Sequence, residues 1–194
     1  MTTRPTSGAT AGNASAADRE LVAAAFNNLS RAVSFGMKVS VVGESTALPF
    51  SGDIVMEISQ VPTRSVDIKI SDQLEMIIIG QDVYVKAGAA TWQQTPMDPS
   101  QLKGLQESLN FAQSVKVEDL AAVEINKLGS EKVDGVDSDV FNVTTSVSGK
   151  PRVTTVWIAR ADKTLLKQEL KDDSGTIRVT FYGWNKITVQ PPKL

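Results

Sequence analysis

The 194-residue chain contains no cysteine and no histidine. Without cysteine there is no disulfide, no thiolate nucleophile and no thiolate-ligated metal. Without histidine the commonest general base near neutral pH and the commonest zinc ligand are missing. No apolar run approaches the roughly eighteen residues of a membrane span, and no signal-peptide core is present. The formal net charge is −2 and no stretch is basic, so the concentrated Lys/Arg patch of a nucleic-acid surface is lacking. Aromatic residues make up 6% of the chain, fewer than small closed barrels and sandwiches use to fill their cores.

What the chain does have is alternation. "SFGMKVSVVGE", from residue 34, sets Phe35, Met37, Val39 and Val41 on one face of a strand, with Lys38 and Ser40 on the other. Ile54, Met56 and Ile58 repeat the pattern in "DIVMEIS", as do Val66, Ile68 and Ile70 in "SVDIKIS". "LEMIIIGQDVYVK" reads as a hairpin bent at Gly80-Gln81-Asp82, and "TWQQT" as a short strand after it. From about Val123 further strands follow: "VEINKLGSEKVDG", "DVFNVTTSVSG", "VTTVWIAR", "TLLKQELKDD", "TIRVTFYGWN" and "KITVQPP". Turns are expected at Val136-Asp137-Ser138, at Asp162-Lys163 and from Asp172 to Gly175.

Helices are scarce. Residues 1–16, mostly Thr, Ala, Ser and Gly, read as a flexible tether, leaving 17–194 as one domain. A helix is predicted from Asp18 to Arg31 with Leu21, Ala25, Phe26 and Leu29 on one face. A second opens at Asp98-Pro99 and carries Leu102, Leu105 and Leu109, with Gly104 weakening its middle. "VEDLAA" adds a helical turn.

Motifs for chemistry are weak. Ser100-Gln101-Leu102-Lys103 matches S-x-x-K, but Ser108-Leu109-Asn110 lies on the same predicted helix, and Lys163-Thr164 is followed by Leu165 rather than the glycine of K-T-G. Asp134, Asp137 and Asp139 lack EF-hand spacing, and a solvated turn is the default reading. Trp92, Trp157 and Trp184 read as packing anchors at strand ends. Met37, Met56 and Met76 suit either a plain core or an adaptable pocket, and the pattern leaves both open.

Ten or eleven antiparallel strands are too wide to stay flat and should curl into a half-barrel with one concave apolar face. A two-sheet sandwich is the alternative. With so little helix to cover that face, a lidded apolar cavity is expected, and such cavities hold apolar ligands.

Residues 154–192, with the "TVWI" strand, the "SG" hairpin, the "GWN" corner and the terminal "VQPP", resemble the closing region of the LppX/LprG (LppX_LprAFG) lipid-binding lipoproteins, within the LolA-like group. "GMKVSVVG", "FSGDI" and "IIIGQDVYVKAG" with Trp92 resemble that family's earlier strands, so the similarity spans about residues 17–192. The resemblance implies an α+β half-barrel closed by helices that binds and transports acylated lipids or lipoglycans in the cell envelope, without catalysis or cofactor. It implies a phospholipid or glycolipid ligand, a membrane surface met during transfer, and a monomer. The family's lipidated cysteine is absent from this chain. The expected lipid-contacting residues are Phe35, Met37, Val39, Val41, Ile54, Met56, Ile58, Val66, Ile68, Ile70, Met76, Ile78, Val83, Val85, Leu102, Leu105, Leu109 and Ile125, with no catalytic or metal-ligating residue among them. The competing function is an envelope sensor or adaptor that uses the same sheet to bind a protein.

Overall fold

The computed structural model describes residues 12–43, 53–108, 120, 123–147, 150–171 and 175–194. A two-residue strand β1 (Gly12–Asn13) precedes helix α1 (Ala16–Arg31). The first meander is β2 (Ser34–Gly43), β3 (Asp53–Ser59), β4 (Ser65–Ile70), β5 (Leu74–Ile79), β6 (Asp82–Ala87) and β7 (Gln93–Gln94). Helix α2 (Pro99–Ser108) separates it from β8 (Glu124–Val133), β9 (Val136–Val147), β10 (Lys150–Ala159), β11 (Leu165–Lys171) and β12 (Gly175–Tyr182).

All twelve strands form one antiparallel sheet in the order β1-β8-β9-β10-β11-β12-β2-β3-β4-β5-β6-β7. The two meanders join where β12 pairs with β2. The terminal strands β1 and β7 do not meet, so the sheet stays open. It is strongly curved. Seven strand steps separate β5 from β9, about 34 Å if the sheet were flat, yet Met76 of β5 and Thr145 of β9 line the same cavity. This is the expected half-barrel, with α1 packed inside the curve against β10 and β11.

Local chemistry places the ends of α1. Ser15 and Asp18 form a reciprocal capping box at its start. The amide of Asn28 donates to the carbonyls of Asp162 and Lys163 at 3.2 and 3.1 Å, tying the helix to the β10–β11 turn. Gly12 and Asn13, inside the stretch read as tether, pair with Lys127 and Asn126. At the start of α2, the Asp98 carboxylate accepts from the Ser100 amide at 2.8 Å and Pro99 occupies the first turn, as the sequence predicts.

Two expectations are corrected. The β8–β9 turn is Asp134-Gly135, and Val136-Asp137-Ser138 belong to β9. Asp134 and Gly135 both take positive φ, 49° and 83°, the backbone that a two-residue hairpin loop demands and that Asp-Gly tolerates best. "KITVQPP" is not a strand. Gly183 and Asn185 have φ of 62° and 57°, turning the chain off β12. The amides of Asn185 and Ile187 then donate to the Ser34 carbonyl and hydroxyl at 2.7 and 2.9 Å instead of to a ladder. The Asp172–Gly175 turn, except Gly175 itself, and "VEDLAA", except Leu120, lie outside the described residues.

Candidate functional site

Because neighbouring strands are in register, the inward side chains form rows across the sheet. The row nearest the "GWN" corner is Phe35, Ile58, Val66, Ile78 and Val83, none more than 3% exposed. Two residues along each strand, the next row is Phe181, Met37, Met56, Ile68, Met76 and Val85. Beyond it come Gln168, Val179, Val39, Ile54, Ile70 and Leu74. Leu170, Ile177 and Val41 follow, with Thr154 paired to Leu170.

The first row is packed solid and the later rows enclose a cavity of about 780 Å³. That volume sits within the roughly 300–1,000 Å³ typical of small-molecule pockets. Phe26 and Leu29 of α1 and Leu105 of α2 complete its wall. At the closed end, Phe35, Phe181 and Trp184 cluster with ring centroids 5.9–6.3 Å apart. Around β9 and β10, Phe141, Val156, Ile158 and Leu165 are completely buried beside Val22 and Ala25 of α1.

Eight of the expected residues line this cavity: Met37, Val39, Ile54, Met56, Ile68, Ile70, Met76 and Leu105. Phe35, Ile58, Val66, Ile78, Val83, Leu102 and Ile125 are packed core instead. Val85 packs at the core's margin, Val41 is half-buried beyond the lining, and Leu109 lies outside the described residues. Met37, Met56 and Met76 are all on the cavity wall, and Met37 and Met56 also belong to the buried core. Trp184 is a partly buried anchor packed against the core, whereas Trp157 lies within β10 under the Lys167 ammonium, 4.0 Å from its ring centroid.

Sequence reasoning missed the wall supplied by the second meander. Ile177, Val179 and Phe181 were detectable, because β12 alternates as cleanly as β2. Thr145, Arg152, Thr154 and Gln168 carried no such signal, since polar residues at alternate positions read as a wet face.

The charges gather elsewhere. Outer-face ion pairs include Lys38–Asp53 at 2.7 Å, Lys69–Glu75 at 3.0 Å and Arg178–Glu169 at 3.0 Å. Burial pushes the Asp67 carboxyl up despite nearby Lys69. Burial, reinforced by Glu57, pushes the Tyr182 hydroxyl to about 12. At the closed end, burial of Asp139 is outweighed by hydrogen bonds from Ser130 and Arg160, which hold its carboxyl below the ordinary range. Asp137 pairs with exposed Lys132, so Asp137 and Asp139 of "DGVDSD" are both directed to cations of this chain. Among the described residues no cluster of His, Cys, Asp and Glu could hold a metal, and no helix is long and apolar enough to cross a membrane. The S-x-x-K serine, Ser100, serves the start of α2.

No family model matches the chain, and no curated protein does. Solved structures do. The Mycobacterium tuberculosis lipoprotein LppX superposes with a TM-score of 0.65 at 19% identity, over 89% of this chain and 98% of that one. LprF from Mycobacterium bovis gives a TM-score of 0.69 at 13% identity, over 93% and 99%. With near-complete coverage in both directions, the chain has the LppX/LprG-like fold.

Proposed function

We propose that this chain binds acylated lipids in its cavity and carries them within the cell envelope, as a carrier and not an enzyme. The observation that supports this most is the hollow itself: about 780 Å³ walled mainly by aliphatic and methionine side chains, in a chain whose neighbouring rows are tightly packed. An empty apolar space of this size forfeits dispersion contacts that a hydrocarbon chain restores. Flexible methionines at its centre accommodate chains of varying shape. The likeness in fold to lipoproteins LppX and LprF agrees with an exported, envelope-associated protein.

Each buried CH₂ contributes roughly 0.8 kcal/mol, so a long acyl chain released into water would cost on the order of 10 kcal/mol. Transfer therefore takes place at a membrane surface, with a phospholipid or glycolipid passing directly between cavity and bilayer. Helix α2, with Leu105 on the wall and Gly104 at its middle, is the segment we assign as the lid. Native mass spectrometry of protein purified without detergent is the test. Bound lipid that organic extraction removes is the expected result. Ligand-free protein that also takes up no lipid from vesicles would overturn the reading.

A further inference from the structure

Two arginines bracket the inner face of β10, Arg152 within the strand and Arg160 just past its end at Ala159. Arg160, at the closed end, is saturated: its guanidinium donates to Asp139 at 2.7 and 2.9 Å and to the Ser130 hydroxyl. Arg152, eight residues earlier on the same face, lines the cavity half-buried and has no carboxylate partner among the described residues. No Asp or Glu is among the described residues of the lining, so Arg152 gives the cavity a net positive charge within a chain of net charge −2.

The surroundings of Arg152 are polar in the same direction. Thr145 lies opposite it on β9 and Thr154 is the next inward residue of β10, whereas Gln168 lines the cavity two rows further in, opposite Val156. Meanwhile Val153, between Arg152 and Thr154, faces outward and is 41% exposed. The usual order of apolar in and polar out is reversed here. A half-buried cation with no counter-ion among the described residues departs from the usual pattern, and such violations of local patterning concentrate at functional sites. The polar group lies at one end of the hollow and the apolar floor of Phe26, Leu29 and Phe181 at the other, which is the layout of an amphiphile.

Building on the carrier reading, we propose that this end of the cavity is a subsite for an anionic oxygen group, phosphate or carboxylate, held by Arg152 with hydroxyl support from Thr145 and Thr154. The guanidinium fork suits either anion, because both offer paired acceptor oxygens.

Competitive loading from vesicles, read by native mass spectrometry, tests this with matched pairs: dioleoyl phosphatidylglycerol against dioleoylglycerol, and oleate against oleyl alcohol. The wild-type protein is expected to prefer at least one charged member over its neutral partner by about tenfold, the effect of a charge-assisted hydrogen bond. Preference in the first pair alone identifies phosphate as the group read, and preference in the second shows that a carboxylate suffices. Arg152→Gln should bring the ratio to about one, Arg152→Lys should retain part of it, and Arg178→Gln on the outer face should leave it unchanged. Loading of charged and neutral members alike by the wild type, or a preference that survives in Arg152→Gln, would overturn the subsite while leaving the carrier reading intact. Failure to load any of the four lipids would remove the carrier reading and this inference with it.

Discussion

Val66 and Ile68 are two residues apart on β4, on the same face, with the same kind of side chain, yet they occupy different physical environments. Val66 sits in the close-packed row with Phe35 and Ile78, while Ile68 borders the hollow between Met56 and Met76. The same division runs through β2, β3 and β5. What separates the two halves is cover. Helix α1 and the Phe35–Phe181–Trp184 cluster fill the concavity at one end, and the described residues supply no equivalent filling at the other. The ionic groups divide in parallel, with Asp139 and Arg160 paired at the filled end and Arg152, at the hollow one, without a carboxylate partner among the described residues. One curved sheet thus supports two tasks: stability at one end and an adaptable void at the other.

Truncation gives the largest separation between the halves. Phe35→Ala should cost about 3–5 kcal/mol in urea unfolding, as for a buried aromatic with no room to collapse, whereas Met76→Ala should cost less than about 2 kcal/mol because it only enlarges existing space. Equal losses would mean that the hollow end is packed as firmly as the other.

Enlargement tests the same boundary from the opposite side. Ile78→Trp should overpack the floor by about 1–3 kcal/mol or more and lower Tm clearly. Ile68→Trp should leave the circular dichroism spectrum and most of the stability of the unliganded protein, with a cost under about 1 kcal/mol, because the indole enters the void. It should also abolish most lipid loading. A strongly destabilised Ile68→Trp would show that the cavity is not available to a side chain and, by extension, not to a ligand.

The closed-end ion pair gives a pH-dependent difference. Asp139 has its carboxyl held below the ordinary value of 3.8, so it contributes stability that is present above that pH and lost as pH falls through the folded-state value. Asp139→Asn should therefore cost about 1–3 kcal/mol at neutral pH, mainly through weakened bonds from Arg160 and Ser130. The gap from wild type should narrow in unfolding curves taken below pH 3.8. A constant gap across that range would assign the loss to packing instead.

The smallest effect concerns the cover of the hollow end. A Cβ at Gly104 would meet no atom within 4 Å, so Gly104→Ala should add about 0.5–1 kcal/mol of helix stability. Hydrogen exchange over residues 99–108 should slow, and lipid exchange between protein and vesicles should slow with it. Slower amide exchange with unchanged lipid transfer would remove α2 from the role of lid.

The sequence by itself determined most of the strands, the hairpin order and, from β2 to β6 and in β12, the inward and outward faces, because a period of two is a local property that each segment carries alone. It also determined both helices and the start of α2 at Asp98-Pro99, since caps and helix faces are written within a few residues. It left the end of the sheet unread: Asp134-Gly135 was passed over as a turn, and "KITVQPP" imitates a strand until Ser34 captures its amides. Which inward residues touch the cavity was decided only in the tertiary structure. Phe35 and Met37, or Val66 and Ile68, are indistinguishable by pattern, and their separation depends on where α1 lies across the curve. Arg152 illustrates the same limit from the polar side. Its alternation reads as solvent-facing, and only the curl of the sheet, which carries β10 round to face β3 and β4 across the hollow, turns that arginine into part of an apolar cavity.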